Sequence, residues 1–228
     1  MAHSSGAEPV RRSPLRDRVG VELALVARPE SAYLRWGKRL FDLVVGGIAT
    51  LLALPVMAVV AVLVLATMGR PVLHRQQRVG RSGAPFVMCK FRTMRPDRRV
   101  SQVTFSGPER RMVHKTGADP RHTPLGRVLR RTSLDELPQL LNVVKGDMSL
   151  VGPRPELWTL AVRHGLVDHP RHRVRPGITG PRQVSAERAS PIYADPDLDL
   201  DYVRDVGLGT DLRVLGRTIG AVVRATGE

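Results

Sequence analysis

Asp135 and Glu136 are adjacent carboxylates set among cations: Arg127, Arg130 and Arg131 precede them, and Gly152-Pro153-Arg154-Pro155-Glu156 follows. Taken alone, the acidic pair has a plain explanation. Carboxylates favour helix N-termini, where each contributes roughly 0.3 to 1 kcal/mol through the helix dipole. Their company argues for chemistry as well. Arginines gathered around a helix N-terminus make a phosphate site. Within such a site two neighbouring carboxylates can divide the labour, one attacking phosphorus and the other holding Mg2+, whose charge lets an anionic nucleophile approach an anionic diphosphate. The residue types reach phosphoryl transfer and stop short of a substrate.

The elements that must position this pair are readable on both sides of it. Thr123-Pro124 is an N-cap followed by proline at the first helical position, opening a short helix through Arg131. A second start follows: Ser133 with Glu136 fits a capping box, and Leu137, Leu140, Leu141 and Val144 fall on one helical face before Gly146 closes the helix. Pro138 lies deep for a first turn and predicts local distortion. Upstream, Pro85 to Arg92 reads as a strand bounded by the Gly80-Arg81-Ser82-Gly83 turn and Pro96. Alternation puts Phe86, Met88, Lys90 and Arg92 on one face, and a face with two cations invites an anion. Residues 95–122 have no clear period and read as a long loop. Leu212, Leu215, Ile219 and Val222 predict a C-terminal amphipathic helix, packed on the core or on a membrane surface.

Leu43 to Met68 is a run of 26 residues without a charge. It is long enough to span a bilayer, since about 20 apolar residues suffice, and no signal peptide is expected, because the run starts some 40 residues in, is too long for an h-region and has no small-residue cleavage site before Arg70. Pro55 divides it into halves of 12 and 13 residues, each too short to span. Both flanks are basic, with Arg35, Lys38 and Arg39 before and Arg70, Arg75, Arg78 and Arg81 after, so both ends prefer the cytoplasmic side. A helix that enters, bends at Pro55 and returns satisfies both features; a kinked transmembrane helix is the alternative.

The formal charge of +15 over 228 residues calls for an anionic partner: nucleic acid, an anionic membrane or a phosphorylated substrate. A membrane-tethered nucleic-acid binder would need clustered aromatics, and the four Phe, three Tyr and two Trp do not gather in a basic stripe. No nucleic-acid partner is expected. The single cysteine, Cys89, excludes an internal disulfide framework and fits a reducing compartment. His164, His169 and His172 lack metal-ligand spacing and read as surface residues; Asp195, Asp197, Asp199 and Asp201 read as a solvated loop.

The chain resembles the monotopic polyprenyl-phosphate phosphoglycosyl transferases, the bacterial sugar transferase family. The resemblance runs from Lys38 to about Val223 through Lys38-Arg39-Leu40-Phe41-Asp42, Arg78-Val79-Gly80 with Lys90-Phe91-Arg92-Thr93-Met94, and Thr132-Ser133-Leu134-Asp135-Glu136-Leu137-Pro138-Gln139-Leu140. It continues through Asn142-Val143-Val144-Lys145-Gly146-Asp147-Met148-Ser149, Gly152-Pro153-Arg154-Pro155 and Arg175-Pro176-Gly177-Ile178-Thr179-Gly180. The resemblance implies that Asp135 is the nucleophile on the sugar-bearing phosphate of a UDP-sugar and that Glu136 binds Mg2+. It further implies that Lys90, Arg130 and Arg154 hold phosphates, with the Pro176-Gly177 turn near the nucleotide. Polyprenyl phosphate would accept the sugar phosphate, membrane lipids would surround the apolar helix, and downstream glycosyltransferases are further possible partners. A catalytically silent scaffold of the same fold is disfavoured, since the carboxylates and cations are all present.

The expected architecture is α+β and helix-rich: a flexible tail over 1–34, a re-entrant membrane helix over 35–70 kinked at Pro55, and a catalytic domain over 71–228. That domain would carry short strands and amphipathic interfacial helices at the cytoplasmic face of the inner membrane. Two departures from the family pattern stand out. Leu54 precedes Pro55 where many members have Ser, and Pro181-Arg182 stands where many have Trp-Ala, with Arg188 in a changed context. The second bears on donor recognition.

Overall fold

Among the described residues the uncharged run lies within the longest element, a helix that continues through Pro55. A computed structural model describes residues 31–95, 121, 123–185, 192 and 196–223. The expected tail up to residue 30, the expected loop over 95–122 apart from Arg95 and Arg121, Arg188 and Asp195 lie outside the described residues. A π-helical turn, Tyr33–Gly37, leads into helix α1, Lys38–Met68, with an exposed Pro55 inside it. The helix from Tyr33 to Met68 is long and apolar enough to cross a membrane by length and composition.

Helix α1 does not stand clear of the rest. Lys38, Asp42, Gly46 and Thr50 are buried at four-residue intervals, followed by Val60 and Val64. This stripe lies against the remainder of the chain, while Leu51, Leu52, Val59 and Val62 on the other side are 60–73% exposed. A side chain at Gly46 would meet Val143 Cγ1 at 3.0 Å, so glycine sets how closely the helix approaches. Thr50 Oγ1 donates to the Gly46 carbonyl at 2.6 Å, a back-bond that loosens the turn before Pro55.

Strands β1, Leu73–Val79, and β2, Pro85–Phe91, form an antiparallel hairpin in which His74 faces Lys90 and Gln76 faces Met88. The expected strand is thus present but ends at Phe91, with Phe86 and Met88 buried and Lys90 half-buried on the predicted face, while Phe91 on the other face is buried as well. Its partner β1 was not expected, although the Gly80–Gly83 turn is a hairpin signal. Helix α2, Pro124–Arg131, starts as the sequence predicts, Thr123 Oγ1 accepting from Gly126 N–H at 2.9 Å.

The capping box does not form. Ser133 adopts the left-handed region, φ 56°, with no side-chain cap, and Leu134–Glu136 is a separate 3-10 turn. Helix α3, Gln139–Lys145, begins only after Pro138 and ends at Gly146 in the left-handed conformation. The cause is the missing N–H of Pro138, which cannot bond the Leu134 carbonyl; Leu137 N–H takes it instead at 3.4 Å.

Two short parallel strands follow, β3, Ser149–Val151, and β4, Gly177–Thr179, separated by helix α4, Trp158–Arg163, and a 3-10 turn, Pro170–Arg173. Helices α5, Leu200–Arg204, and α6, Leu208–Val223, complete the described chain. The main core gathers Met88, Val143, Met148, Leu150 and Val151 with Tyr202, Val203 and Val214, and a second cluster joins Val60 and Val64 to Phe91 and Leu129.

Helix α6 packs on the core through a face offset from that of Leu212 and Ile219, so of the two expected settings for that apolar face the core is not the one found. Asp211 and Val214 are buried and Leu215 and Thr218 half-buried, whereas Leu212 and Ile219 are exposed. Asp211 turns inward because it is fully partnered: Lys38 Nζ donates at 2.7 Å and Tyr33 Oη at 2.6 Å to one carboxylate oxygen, and Tyr202 Oη at 2.7 Å to the other. Asp199 is no solvated residue but is completely buried against Arg171, and the side chains of His169 and His172 are buried rather than on the surface. Arginine at 171 supplies the charge that makes burial of Asp199 tolerable. Asp197 receives a contact from His169 Nε2 at 3.1 Å, and Asp201 is exposed beside Arg204.

Candidate active site

Three elements bring the charges together. The 3-10 turn carries Asp135 and Glu136, strand β2 carries Lys90, and the C-terminal end of α2 carries Arg130. Ser133, in its left-handed conformation, bends the chain between α2 and the turn. Asp135 is only 5% exposed. Burial and the Glu136 carboxylate push it up to about 6, against the pull of Lys90, its own backbone hydrogen bond and Arg130. Burial also holds Lys90 below the usual ammonium range, with Arg78 and Arg154 acting in the same direction and Asp135 and Glu136 opposing it. These six groups therefore act on one another as a single electrostatic site.

Arg154 is exposed and follows Gly152-Pro153, where the chain crosses the Arg175-Pro176-Gly177 segment. Gly177 N–H donates to the Pro153 carbonyl at 3.0 Å, and Ser149 N–H to the Pro176 carbonyl at 2.8 Å. A side chain on Gly152 would lie 2.4 Å from the Arg175 carbonyl oxygen, which explains glycine there. Pro176 and Gly177 are thus buried beneath the Arg154 loop, contributing backbone to it. Arg171 Nη2 donates to the Arg154 carbonyl at 2.9 Å and its guanidinium is held by Asp199, so a buried ion pair braces the same loop.

Sequence reasoning missed two members of the site. The hairpin register places His74 and Arg78 on the face that bears Lys90. Arg78 is fixed by the Pro155 carbonyl at 3.0 Å and Gln76 Oε1 at 2.6 Å, and burial with Lys90 and Arg78 nearby holds His74 below the usual imidazole range. The signal was the hairpin turn, which supplies the register once β1 is recognised. Arg92, counted with Lys90 as an anion-binding cation, does something else. Its guanidinium donates to the Met68, Gly69 and Arg70 carbonyls and caps the C-terminal end of α1. Pro55 lies on α1, in the membrane-grade segment.

Among the described residues no group of three or more His, Cys, Asp or Glu forms a metal cage. Mg2+ is held by one or two carboxylates together with substrate phosphates, and the adjacent Asp135 and Glu136 are donors of the right hardness. The arrangement can present one ionised carboxylate to a phosphorus centre inside a ring of cations.

The family described as bacterial sugar transferase matches residues 33–225. The chain is 37% identical over 203 residues to the exopolysaccharide production protein ExoY of Sinorhizobium fredii, covering 84% of this chain and 87% of that protein. To the uncharacterized sugar transferase EpsL of Bacillus subtilis it is 38% identical over 194 residues, covering 83% and 89%. It is 35% identical over 226 residues to the UDP-glucose:undecaprenyl-phosphate glucose-1-phosphate transferase of Escherichia coli, covering 92% of this chain and 45% of that longer protein.

Proposed function

The chain belongs to the bacterial sugar transferase family, a family of transferase enzymes, and we propose that it moves a sugar 1-phosphate from a UDP-sugar to a polyprenyl phosphate, undecaprenyl or decaprenyl. The Asp135 carboxylate attacks the sugar-bearing phosphorus, the bond from that phosphorus to the bridging oxygen breaks, and UMP leaves with the electron pair. The phosphosugar is then held on Asp135. A phosphate oxygen of the polyprenyl phosphate attacks the same phosphorus and releases the carboxylate, giving polyprenyl diphosphate sugar. Such a product starts an exopolysaccharide, capsule or glycoconjugate, which downstream glycosyltransferases extend.

The observation that carries this reading is a buried Asp135 next to Glu136, with Lys90 of β2 and Arg130 of α2 close enough to act on its charge. Lys90, Arg130 and Arg154 hold the phosphates, and the backbone at Pro176-Gly177 shapes the nucleotide end. Glu136, with Asp135 adjacent, would hold Mg2+, whose charge offsets the repulsion between carboxylate and diphosphate.

The same reading places the catalytic domain on the cytoplasmic face of the inner membrane, with α1 as a re-entrant helix bent at Pro55. Support comes from the two ends of α1. Lys38 is tied to Asp211 and Arg39 to the Val143 and Val144 carbonyls, while Arg92 holds the Met68 and Gly69 carbonyls. A straight crossing would carry one end away from the domain that grips both. Cysteine labelling at positions 36 and 70, with Cys89 replaced, is expected to find both on the cytoplasmic side; labelling on opposite sides contradicts it.

Purified protein in detergent, with Mg2+, polyprenyl phosphate and a panel of UDP-glucose, UDP-galactose and UDP-N-acetylglucosamine, is expected to release UMP from at least one donor. Asp135→Asn is expected to abolish that release, and undiminished release in this variant contradicts the nucleophile assignment.

A further inference from the structure

Asn142 sits in the middle of α3, is 5% exposed, and spends its side chain on strand β2. Its Nδ2 donates to the Val87 carbonyl at 2.8 Å, and its Oδ1 accepts from Cys89 N–H at 3.2 Å. These are the outward groups of β2 on the edge away from β1, which an unpaired edge strand would leave unsatisfied. Accepting from one residue and donating to the residue two places earlier is the pattern that a neighbouring parallel strand makes across the residue between them, here Met88. One side-chain amide thus stands in for a third strand.

The orientation of that amide is over-determined. Nδ2 also donates to Asp147 Oδ2 at 3.2 Å, and that oxygen accepts from Lys145 Nζ at 3.0 Å. All three contacts of Asn142 require the same assignment of amide oxygen and nitrogen, so the side chain cannot flip without losing every one. Sliding β2 by one residue, about 3.3 Å, would also break the pair of bonds at once. Lys90 is the residue after Cys89, and α3 begins three residues after Glu136. The amide is therefore the side-chain tie between the strand carrying the cation and the helix that continues from the carboxylates.

We propose that Asn142 is a positioning residue for phosphoryl transfer, its amide locking the Lys90 strand in register against the Asp135–Glu136 turn. The inference rests on the assignment of Asp135 as nucleophile and Lys90 as a phosphate-binding cation. A residue that merely covers a sheet edge would stabilise the fold and leave the turnover of folded molecules alone. A positioning residue sets turnover, because a displacement near 1 Å at a reacting centre can cost on the order of 100-fold.

The isosteric change Asn142→Asp makes the test sharp, since it keeps the size and removes the donor. Its second carboxylate oxygen would face the Val87 carbonyl and Asp147 together. The double variant N142D/D147N returns a donor to one of those contacts. Full-length proteins in detergent would be assayed for UMP release across concentrations of the panel donor that wild type turns over fastest. Folded fraction would come from near-ultraviolet circular dichroism, and hydrogen exchange would be followed over residues 85–91.

N142D is expected to lose on the order of 100-fold in kcat per folded molecule, with KM within about threefold, and to exchange faster at 87–89. The double variant is expected to recover at least about tenfold of the loss. If N142D does not fold, Asn142→Ala, which removes the contacts without adding charge, carries the same comparison. Folded N142D with wild-type kcat, or a double variant no better than N142D, overturns the proposal. Asp135→Asn run alongside separates the two readings: release surviving in that variant removes the nucleophile assignment itself, whereas a silent Asp135→Asn beside an unimpaired N142D removes only the role of Asn142.

Discussion

Two buried carboxylates in this molecule are treated in opposite ways. Asp211, at the foot of α1, accepts hydrogen bonds from Lys38, Tyr33 and Tyr202, all within 2.7 Å. Asp135, 5% exposed, sits against another carboxylate and is pushed up to about 6. Burial costs a charge its hydration in both places. At Asp211 the cost is met by direct partners, and the outcome is a joint between α1 and α6. At Asp135 burial and the Glu136 charge outweigh the pull of Lys90 and Arg130, so the carboxylate is held above its ordinary range beside cations that a phosphate could share. The contrast separates a carboxylate closed off by its partners from one that shares its surroundings with a second carboxylate and several cations.

The largest effect expected from breaking this contrast is on turnover at Asp135. Asp135→Asn removes the nucleophile while keeping the volume, and UMP release is expected to fall by at least about 1,000-fold, as for other enzymes stripped of a nucleophile. Next comes the joint. Asp211→Ala leaves Lys38 buried without its partner, which is expected to cost about 3–5 kcal/mol and to lower the melting temperature sharply in detergent. UMP release per folded molecule is expected to change little. An unaltered melting temperature would mean that the buried pair is not what holds α1 in place.

The smaller effect has an unusual sign. Because the folded-state value of Asp135 lies above its value of 3.8 in an unfolded chain, the folded protein binds the extra proton between about pH 4 and 6. Stability from this group is therefore lost as pH rises through that window and is level above it. At about 1.4 kcal/mol per pH unit, ionised Asp135 costs the fold on the order of 3 kcal/mol or less at neutral pH. Asp135→Asn is thus expected to melt higher than wild type above pH 6 and equal to it near pH 4. Equal melting at all pH values would show that Asp135 is not strained by burial.

Much of this comparison was legible in the sequence, and the illegible parts share a cause. The apolar run, the Thr123-Pro124 start, the presence of β2 and the closing Gly146 depend on neighbours in sequence, and each is found where expected. The company of Asp135 was legible because motif blocks carry it. Ser133 was misread as a cap because Pro138, five residues later, dictates where α3 can begin. Asp199, His172 and the inward turn of Asp211 were illegible, since their burial depends on Arg171, Lys38 and the two tyrosines, which are distant in sequence or sit on other elements. His74 and Arg78 became site residues only through the hairpin register.

The measurement that bears most directly on the account is the intact mass of the protein after incubation with the donor and Mg2+ in the absence of polyprenyl phosphate. A mass increase of one sugar phosphate, mapped to Asp135 by peptide sequencing, lost on later addition of polyprenyl phosphate and absent from Asp135→Asn, is the predicted result. UMP release that requires the polyprenyl acceptor from the outset, with no adduct on any residue, would contradict a covalent Asp135 intermediate and favour direct transfer between the two substrates.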